Sequence, residues 1–131
     1  MIRHGRFSLE RVADAAAAAP MRRALSDFLD AVGIPEPIRL DVITAVGEAL
    51  ANAIEHAYCG EPAGEVRIVA FVDGDDALNV EVVDRGTFVK PRRRPQRGFG
   101  MRIMRAVADS VELRTTPGTT LSLRFRLNSA R

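Results

Sequence analysis

Glu48 and Asn52 form the pair of residues whose types and spacing best suit chemistry in this sequence. They stand four positions apart in a strongly helical run, so the carboxylate and the carboxamide share one helix face. A carboxylate can take a proton, and an amide oxygen can coordinate Mg²⁺ directly or through water, so the pair suits metal-assisted phosphate chemistry. Glu55 is a second acid on the same run. The pattern also fits an ordinary solvated helix face, and the pair alone does not separate the two interpretations.

Three further sites lie at predicted element boundaries. Asp84 ends a predicted strand, where its carboxylate could accept a hydrogen bond from an exocyclic amine while Gly86 lets a planar base approach the backbone. Gly98 and Gly100 are predicted to open a helix, whose free N–H groups and dipole favour phosphate oxygens. Residues 118–120, Gly-Thr-Thr, offer small and hydroxyl-bearing groups at a predicted hairpin. Each of the three sites also fits a plain turn.

The composition bounds the class of protein. A chain of 131 residues, 47% hydrophobic and 27% charged, fits one compact domain over residues 1–131 that buries a core without disulfides. Cys59 is the only cysteine. The net charge of +2 does not indicate nucleic-acid binding, and no apolar run approaches the roughly 18 residues of a membrane span. The start of the sequence lacks an apolar signal core, so we expect a cytoplasmic protein.

A basic segment over residues 90–97 carries five cations and two prolines, and we expect it to be a loop because proline disfavours regular helix. It fits either a solubilising surface loop or a loop that faces phosphate or a protein partner.

The elements that must position these residues follow from hydrophobic periodicity. The predicted order is a strand at 7–12, a helix from about 14 to 33, a helix from 36 or 37 to 56 or 57, strands at 66–72 and 77–83, a short helix at 101–108, and strands at 111–115 and 120–127. This order predicts an α+β fold, a two-layer sandwich with helices on one face of a largely antiparallel or mixed sheet and the first strand at its edge.

On the second helix, the periodicity places Glu48, Asn52 and Glu55 opposite the apolar stripe. Four small residues surround the pair and are predicted to let a ligand approach the backbone: Ala45, Gly47, Ala49 and Ala51.

The combination of motifs is far more specific than its parts. Glu-x-x-x-Asn on a helix, Asp-x-Gly after a strand, Gly-x-Gly before a helix and Gly-Thr before the last strand occur in that order. This resembles the GHKL (Bergerat) ATP-binding fold, most closely its RsbW/SpoIIAB-like anti-sigma factor serine kinases. Two phrases carry the closer match: residues 48–58, Glu-Ala-Leu-Ala-Asn-Ala-Ile-Glu-His-Ala-Tyr, and residues 97–104, Arg-Gly-Phe-Gly-Met-Arg-Ile-Met.

The resemblance implies a role for each motif. Glu48 would be the general base that deprotonates a serine hydroxyl, and Asn52 would bind the Mg²⁺ that bridges the ATP phosphates. Asp84 would bind the adenine amino group beside Gly86. The lid over the phosphates would include Gly98, Phe99, Gly100 and Met101.

Two assignments within the resemblance have alternatives. Thr119 or Thr120 would support adenine through a hydroxyl or a bound water. Arg97 is the candidate cation for the γ-phosphate, because transfer leaves charge on those oxygens, and Arg92, Arg93 and Arg94 compete for that role. The sequence also departs from many relatives, which carry a second glycine shortly after Asp-x-Gly.

The implied function is an ATP-dependent kinase, using ATP/ADP and Mg²⁺, that phosphorylates a serine on a STAS-domain anti-anti-sigma protein and sequesters a sigma factor. Relatives commonly form homodimers, and the first strand and helix are the expected contact elements. Neither direct nucleic-acid binding nor a membrane is expected. The alternatives are a sequestering module without productive phosphotransfer, and a kinase-like regulator of another signalling pathway.

Overall fold

In the part of the chain that this computed structural model describes, five strands form one sheet and three α-helices accompany it. The structure describes residues 2–57, 64–74, 76–86, 95–115 and 117–127, and at residues 56–57 and 95–99 the description covers the backbone alone. The elements are β1 (Arg6–Val12), α1 (Ala18–Ala31), α2 (Glu36–Asn52), a π-helical turn (Ala53–Ala57), β2 (Glu65–Val72), β3 (Ala77–Asp84), α3 (Pro95–Val107), β4 (Ser110–Arg114) and β5 (Thr119–Arg126).

The sheet order is β1-β2-β3-β5-β4, and every neighbouring pair is antiparallel. The predicted α+β class, element order and edge position of the first strand are confirmed. No helix in the described part of the chain is both long enough and apolar enough to span a bilayer.

Alternation along the strands separates a helix-facing side from an outer side. The helix-facing side supplies the buried sheet residues, among them Val66, Ile68, Ala70, Leu78, Val80, Val82, Leu121, Leu123 and Phe125. The outer side is largely polar and includes Arg67, Asn79, Glu81, Ser122 and Arg124. One face of the sheet therefore packs against the helices, as in other two-layer α+β folds.

Helix α1 ends where the sequence predicted and begins later. Gly33 has φ of 86°, its N–H donates to Asp30 O at 3.1 Å, and the Ile34 N–H donates to Leu29 O at 2.9 Å. This is a Schellman stop that favours glycine. The α-helix begins at Ala18 instead of about residue 14. It follows a turn in which the Ala16 N–H donates to Asp14 Oδ1 at 3.0 Å and the Ala17 N–H donates to Asp14 O at 3.0 Å.

Helix α2 differs from prediction in two respects. It is α-helical only to Asn52, and the remaining helical residues form the π-helical turn. Ala45 and Ala49, expected to line an approach for a ligand, are buried in the core. Ala51 is exposed, and Gly47 lies beside the Arg22 side chain, so these two alone of the four small residues remain at the surface.

Helix α3 begins at Pro95 instead of about Met101. Proline is tolerated in the first turn of a helix because its missing N–H is not needed there. The glycines that follow are absorbed into the helix despite a cost of about 1 kcal/mol each relative to alanine. Met104 is fully buried and secures the helix in the core.

Gly118 is the conformationally demanding position of the last hairpin. Its φ is 64°, and a Cβ added there would lie 2.4 Å from Asp84 O and 3.0 Å from the Arg85 Cα. The absence of a side chain therefore allows the hairpin backbone to lie directly against the end of β3.

We predict that Gly118→Ala lowers the free energy of unfolding by about 2 kcal/mol or more, since it adds a positive-φ penalty to a backbone clash. Urea unfolding would measure this. Gly74→Ala is the matched control, because a Cβ at residue 74 would meet no atom within 4 Å. Equal effects of the two substitutions would contradict the close contact at Gly118.

Candidate functional site

Asp84 is the one charged side chain that is buried among the described residues, with 6% of its surface exposed. Burial raises the pKa of its carboxyl, and the hydrogen bond from the Gly86 N–H to Oδ1, at 3.0 Å, partly opposes that rise. Within the described residues no hydrogen bond reaches Oδ2. A buried carboxylate oxygen without a partner is energetically costly, so this end of β3 is suited to receive a donor from a ligand.

The strand register separates the two candidate threonines. Thr119 lies opposite Asp84, and Thr120 lies opposite Val83. Directly paired residues present their side chains on the same face of a sheet. Thr119 therefore shares the helix-facing side with Asp84, whereas Thr120 belongs to the outer side, where it pairs with Arg114.

Glu48 and Asn52 meet around Gly100. A Cβ added at Gly100 would lie 3.3 Å from Glu48 Oε2 and 3.7 Å from Asn52 Nδ2. Both polar side chains are half-buried, and Gly100 is buried. The sequence placed the pair off the core stripe, which is correct, and the structure shows that the side it occupies contacts α3.

The predicted role of the glycines as a free helix start does not match this arrangement. Gly98 lies in the first turn of α3 and Gly100 lies further inside, so the Gly100 N–H falls within the repeating hydrogen-bond pattern of the helix. Met101 follows, half-buried against the core. In this conformation the Gly100 N–H is not free to bind phosphate.

Several candidate residues fall partly or wholly outside the described structure. Arg97 and Phe99 lie in α3 by their backbone, and their side chains are outside the description. Residues 87–94, which contain Arg92, Arg93 and Arg94, and residues 58–63, which contain Cys59, are also outside it. Glu55 lies in the π-helical turn and is exposed.

Sequence reasoning missed two contacts that shape the site. The packing of Gly118 on Asp84 was signalled only by the Pro117-Gly118 dipeptide, which predicts a turn but not what the turn touches. The contact of Gly100 with the acid and amide joins residues that are far apart in sequence, and no local pattern reports it.

The antiparallel sheet, the buried aspartate at a strand end and the acid–amide pair on a packed helix agree with what the resemblance to the GHKL fold implies. The chain belongs to the histidine kinase-like ATPase domain family, whose model matches residues 12–125.

Relatives named as anti-sigma factors and serine kinases support the closer resemblance. The chain is 31% identical over 90 residues to an anti-sigma F factor of Thermoanaerobacter sp. (strain X514), covering 60% of this chain and 62% of that protein. It is 29% identical over 127 residues to the serine-protein kinase RsbW of Bacillus velezensis, covering 85% of this chain and 79% of the relative. The match thus spans less than two thirds of the anti-sigma F factor.

Solved structures agree with the fold. The structure of the RsbU and RsbW domains of Rv1364c from Mycobacterium tuberculosis superposes with a TM-score of 0.77 at 25% identity, covering 94% of this chain and 32% of that one. The SiaB–SiaC complex from Pseudomonas aeruginosa gives a TM-score of 0.64 at 14% identity, covering 91% of this chain and 87% of that chain, which supports the fold alone. The resemblance to RsbW-type proteins is confirmed.

Asp84→Asn is expected to stabilise the chain at neutral pH. Because the pKa of Asp84 is raised, its ionised form destabilises the folded state above that pKa, and the penalty disappears as pH falls through the folded pKa. The stability gain over wild type, measured by urea unfolding across pH, should therefore be present at pH 7 and vanish in acid. A variant less stable than wild type at pH 7 would contradict this reading of the buried carboxylate.

Gly100→Ala tests the contact with Glu48. Both Gly100 and Gly47 are helical glycines, so alanine gains up to about 1 kcal/mol of helix propensity at each. A Cβ at Gly47 would meet Cδ of the Arg22 side chain at an ordinary 3.5 Å, so Gly47→Ala should retain the gain. At Gly100 the crowding against Glu48 should cancel it. Equal stabilisation in urea unfolding would contradict the contact.

Proposed function

We propose that this chain is an ATP-dependent protein-serine kinase that phosphorylates a STAS-type anti-anti-sigma protein. When it is not bound to the unphosphorylated form of that protein, it sequesters a sigma factor. The observation that carries the proposal is the buried Asp84 carboxylate, which leaves one oxygen without a hydrogen bond among the described residues. The names of the relatives support the same conclusion. Residues 1–131 act in this proposal as one ATP-binding domain.

Adenine fits the donor requirement at Asp84. An exocyclic amino group donates to Oδ2 while Oδ1 keeps its bond from the Gly86 N–H, so the carboxylate accepts one hydrogen bond on each oxygen. Thr119, opposite Asp84 and on the same side of the sheet, supports the base through its hydroxyl or a bound water. Guanine presents a carbonyl oxygen in place of that amino group, so the carboxylate would disfavour it.

The phosphates belong at the α2 side of the site. The half-buried Asn52 has an amide oxygen of the kind that Mg²⁺ accepts, and so fits the metal of a magnesium nucleotide. Magnesium would neutralise charge on the phosphate oxygens during transfer. Glu48, one turn earlier, would be the base that takes the proton of the serine hydroxyl. The serine oxygen would then bond to the γ-phosphorus while the bond from that phosphorus to the β–γ bridging oxygen breaks and ADP leaves.

Phosphate binding requires the start of α3 to change. The Gly100 N–H is committed to the helix and Gly100 itself lies against Glu48 and Asn52. For the glycine amides to donate to phosphate, the first turn of α3 must unwind and move away from the pair. Two glycines lower the cost of that change, since each weakens a helix by about 1 kcal/mol relative to alanine. Arg97 precedes Gly98 and would then carry its cation to the γ-phosphate.

Nucleotide state would in this way control the partners. Phosphorylation releases the STAS protein from this chain, whereas the unphosphorylated STAS protein displaces the sigma factor from it. The balance between the complex with the STAS protein and the complex with the sigma factor therefore depends on ATP. We include a homodimer in the proposal.

A second candidate is a sequestering module that binds partners without productive transfer. The observation that favours it is the packing of Gly100 over Glu48 and Asn52, which covers the proposed base in the present conformation.

Glu48→Gln should reduce transfer of label from γ-labelled ATP to the serine of a cognate STAS partner by roughly 10²- to 10⁴-fold, because glutamine cannot take the proton. Binding of Mg-ADP, measured by calorimetry, should remain. Glu55→Gln removes an exposed acid from the same helical segment and should retain transfer.

The same assay separates the two candidates. Tight partner binding with no label in the wild-type chain would favour the sequestering module. Absence of ATP and ADP binding would refute the site at Asp84 as well.

Asp84→Asn should lose nucleotide binding, since its Nδ2 would face the adenine amino group with donor opposed to donor.

A further inference from the structure

Helix α2 presents an exposed ridge that carries no charge. The ridge consists of four exposed residues that recur three, four and seven positions apart and so share one side of the helix, away from its core stripe: Pro37, Leu40, Thr44 and Ala51. Leu40 keeps 61% of its surface exposed, the largest value among the large apolar side chains of the described residues. The Thr44 hydroxyl donates to Leu40 O at 2.8 Å, so the one polar side chain of the ridge already has a hydrogen bond.

The composition of the ridge is typical of a surface that binds protein. A helix side that faces solvent is normally charged, as in α1, where Arg23, Asp27 and Asp30 are exposed. The ridge has no charge over the fourteen residues from Pro37 to Ala51, a length of about 21 Å. Charged residues are depleted at the centre of protein interfaces. An exposed leucine on an uncharged helix side therefore fits an apolar contact with another protein.

The ridge runs directly beside the proposed catalytic base. Helix α1 flanks α2 at Gly47, and α3 flanks it where Gly100 lies against Glu48. The ridge is the side of α2 that lies between these two contacts. Thr44 is four positions before Glu48 and Ala51 is three positions after it, so both are its neighbours on the helix surface. A group that approaches Glu48 from the side away from α3 therefore passes over the ridge.

The proposed reaction decides which partner would cover the ridge. The serine hydroxyl must come within hydrogen-bond distance of the Glu48 carboxylate, and the phosphates would occupy the α3 side with Asn52. The protein that carries the serine is then left with the other margin of Glu48. Leu40 is eight residues from Glu48, about 12 Å along the helix axis. A standard interface covers about 800 Å² on each partner, which is wide enough to include both residues.

We propose that the exposed ridge of α2 is the docking surface for the phosphoacceptor protein, which covers Leu40 with an uncharged, apolar patch roughly 12 Å from its serine. The inference rests on the proposed function, because it takes Glu48 as the base. It adds a direction of approach, with the acceptor protein over the ridge and the nucleotide on the α3 side. Since the contact is apolar, a charge of either sign at residue 40 opposes it.

Leu40→Glu and Leu40→Lys test the apolar contact in the full chain. Residue 40 is exposed and both replacements are good helix formers, so the fold should be retained, which circular dichroism would check. With the STAS protein of the transfer assay as substrate, each variant should raise the KM for that protein at least about tenfold. The kcat and the KM for ATP should stay unchanged, because residue 40 contacts neither the serine nor the nucleotide.

Val12→Glu is the matched control. It adds the same charge at an apolar residue that is 52% exposed, on the outer side of the sheet and so across the molecule from the ridge. This variant should leave the KM for the STAS protein unchanged. Calorimetry of the STAS protein with the Mg-ADP-bound chain gives a second readout that does not need transfer, and both Leu40 variants should lose affinity in it.

Four results would overturn the docking surface: wild-type affinity in either Leu40 variant, tighter binding with one of the two charges, an equal loss in Val12→Glu, or a wild-type chain that does not bind the STAS protein. Binding of the STAS protein without transfer of label would refute the proposed kinase activity alone. The docking surface would then stand or fall by the affinities of the two Leu40 variants.

Discussion

The packing of α2 is the interaction on which the rest of the structure depends. Val42, Val46 and Leu50 are fully buried and fix the helix against the sheet. Once that stripe is fixed, the helical repeat sets the direction of every other residue on α2, so Gly47 faces α1 while Glu48 and Asn52 face α3. The hydrophobic burial that fixes α2 against the sheet therefore also sets the direction of the Glu48 and Asn52 side chains.

Stability and function compete at two places in this arrangement. Asp84 occupies a buried position where an asparagine would avoid the cost of charge, and Gly98 weakens the start of the helix that covers Glu48 and Asn52. Neither choice improves the folded chain taken alone. Natural proteins accept such local costs where a ligand later compensates for them, and the coincidence of both costs with the family motifs supports the assignment of the site.

The sequence predicted most of the fold because strand alternation and the stripe of α2 are local signals. The start of α3 was mispredicted since proline and glycine argue locally against helix, whereas the buried Met104 and the contact with α2 decide otherwise. The choice between Thr119 and Thr120 required the register with β3, which no single-strand pattern contains. The widening of α2 into a π-helical turn also left no recognisable local signal.

Helix α3 is held very unequally at its two ends. At its C-terminal end the Ala108 N–H donates to Met104 O at 2.9 Å and the Asp109 N–H donates to Arg124 O at 2.8 Å, which joins the helix to β5 across a two-residue link. At its N-terminal end stand a proline and two glycines. The helix is thus fixed to the sheet at its C-terminal end and is weak at its N-terminal end. A change of backbone conformation at Gly98 and Gly100 would therefore stay local and would leave the register of the sheet unchanged.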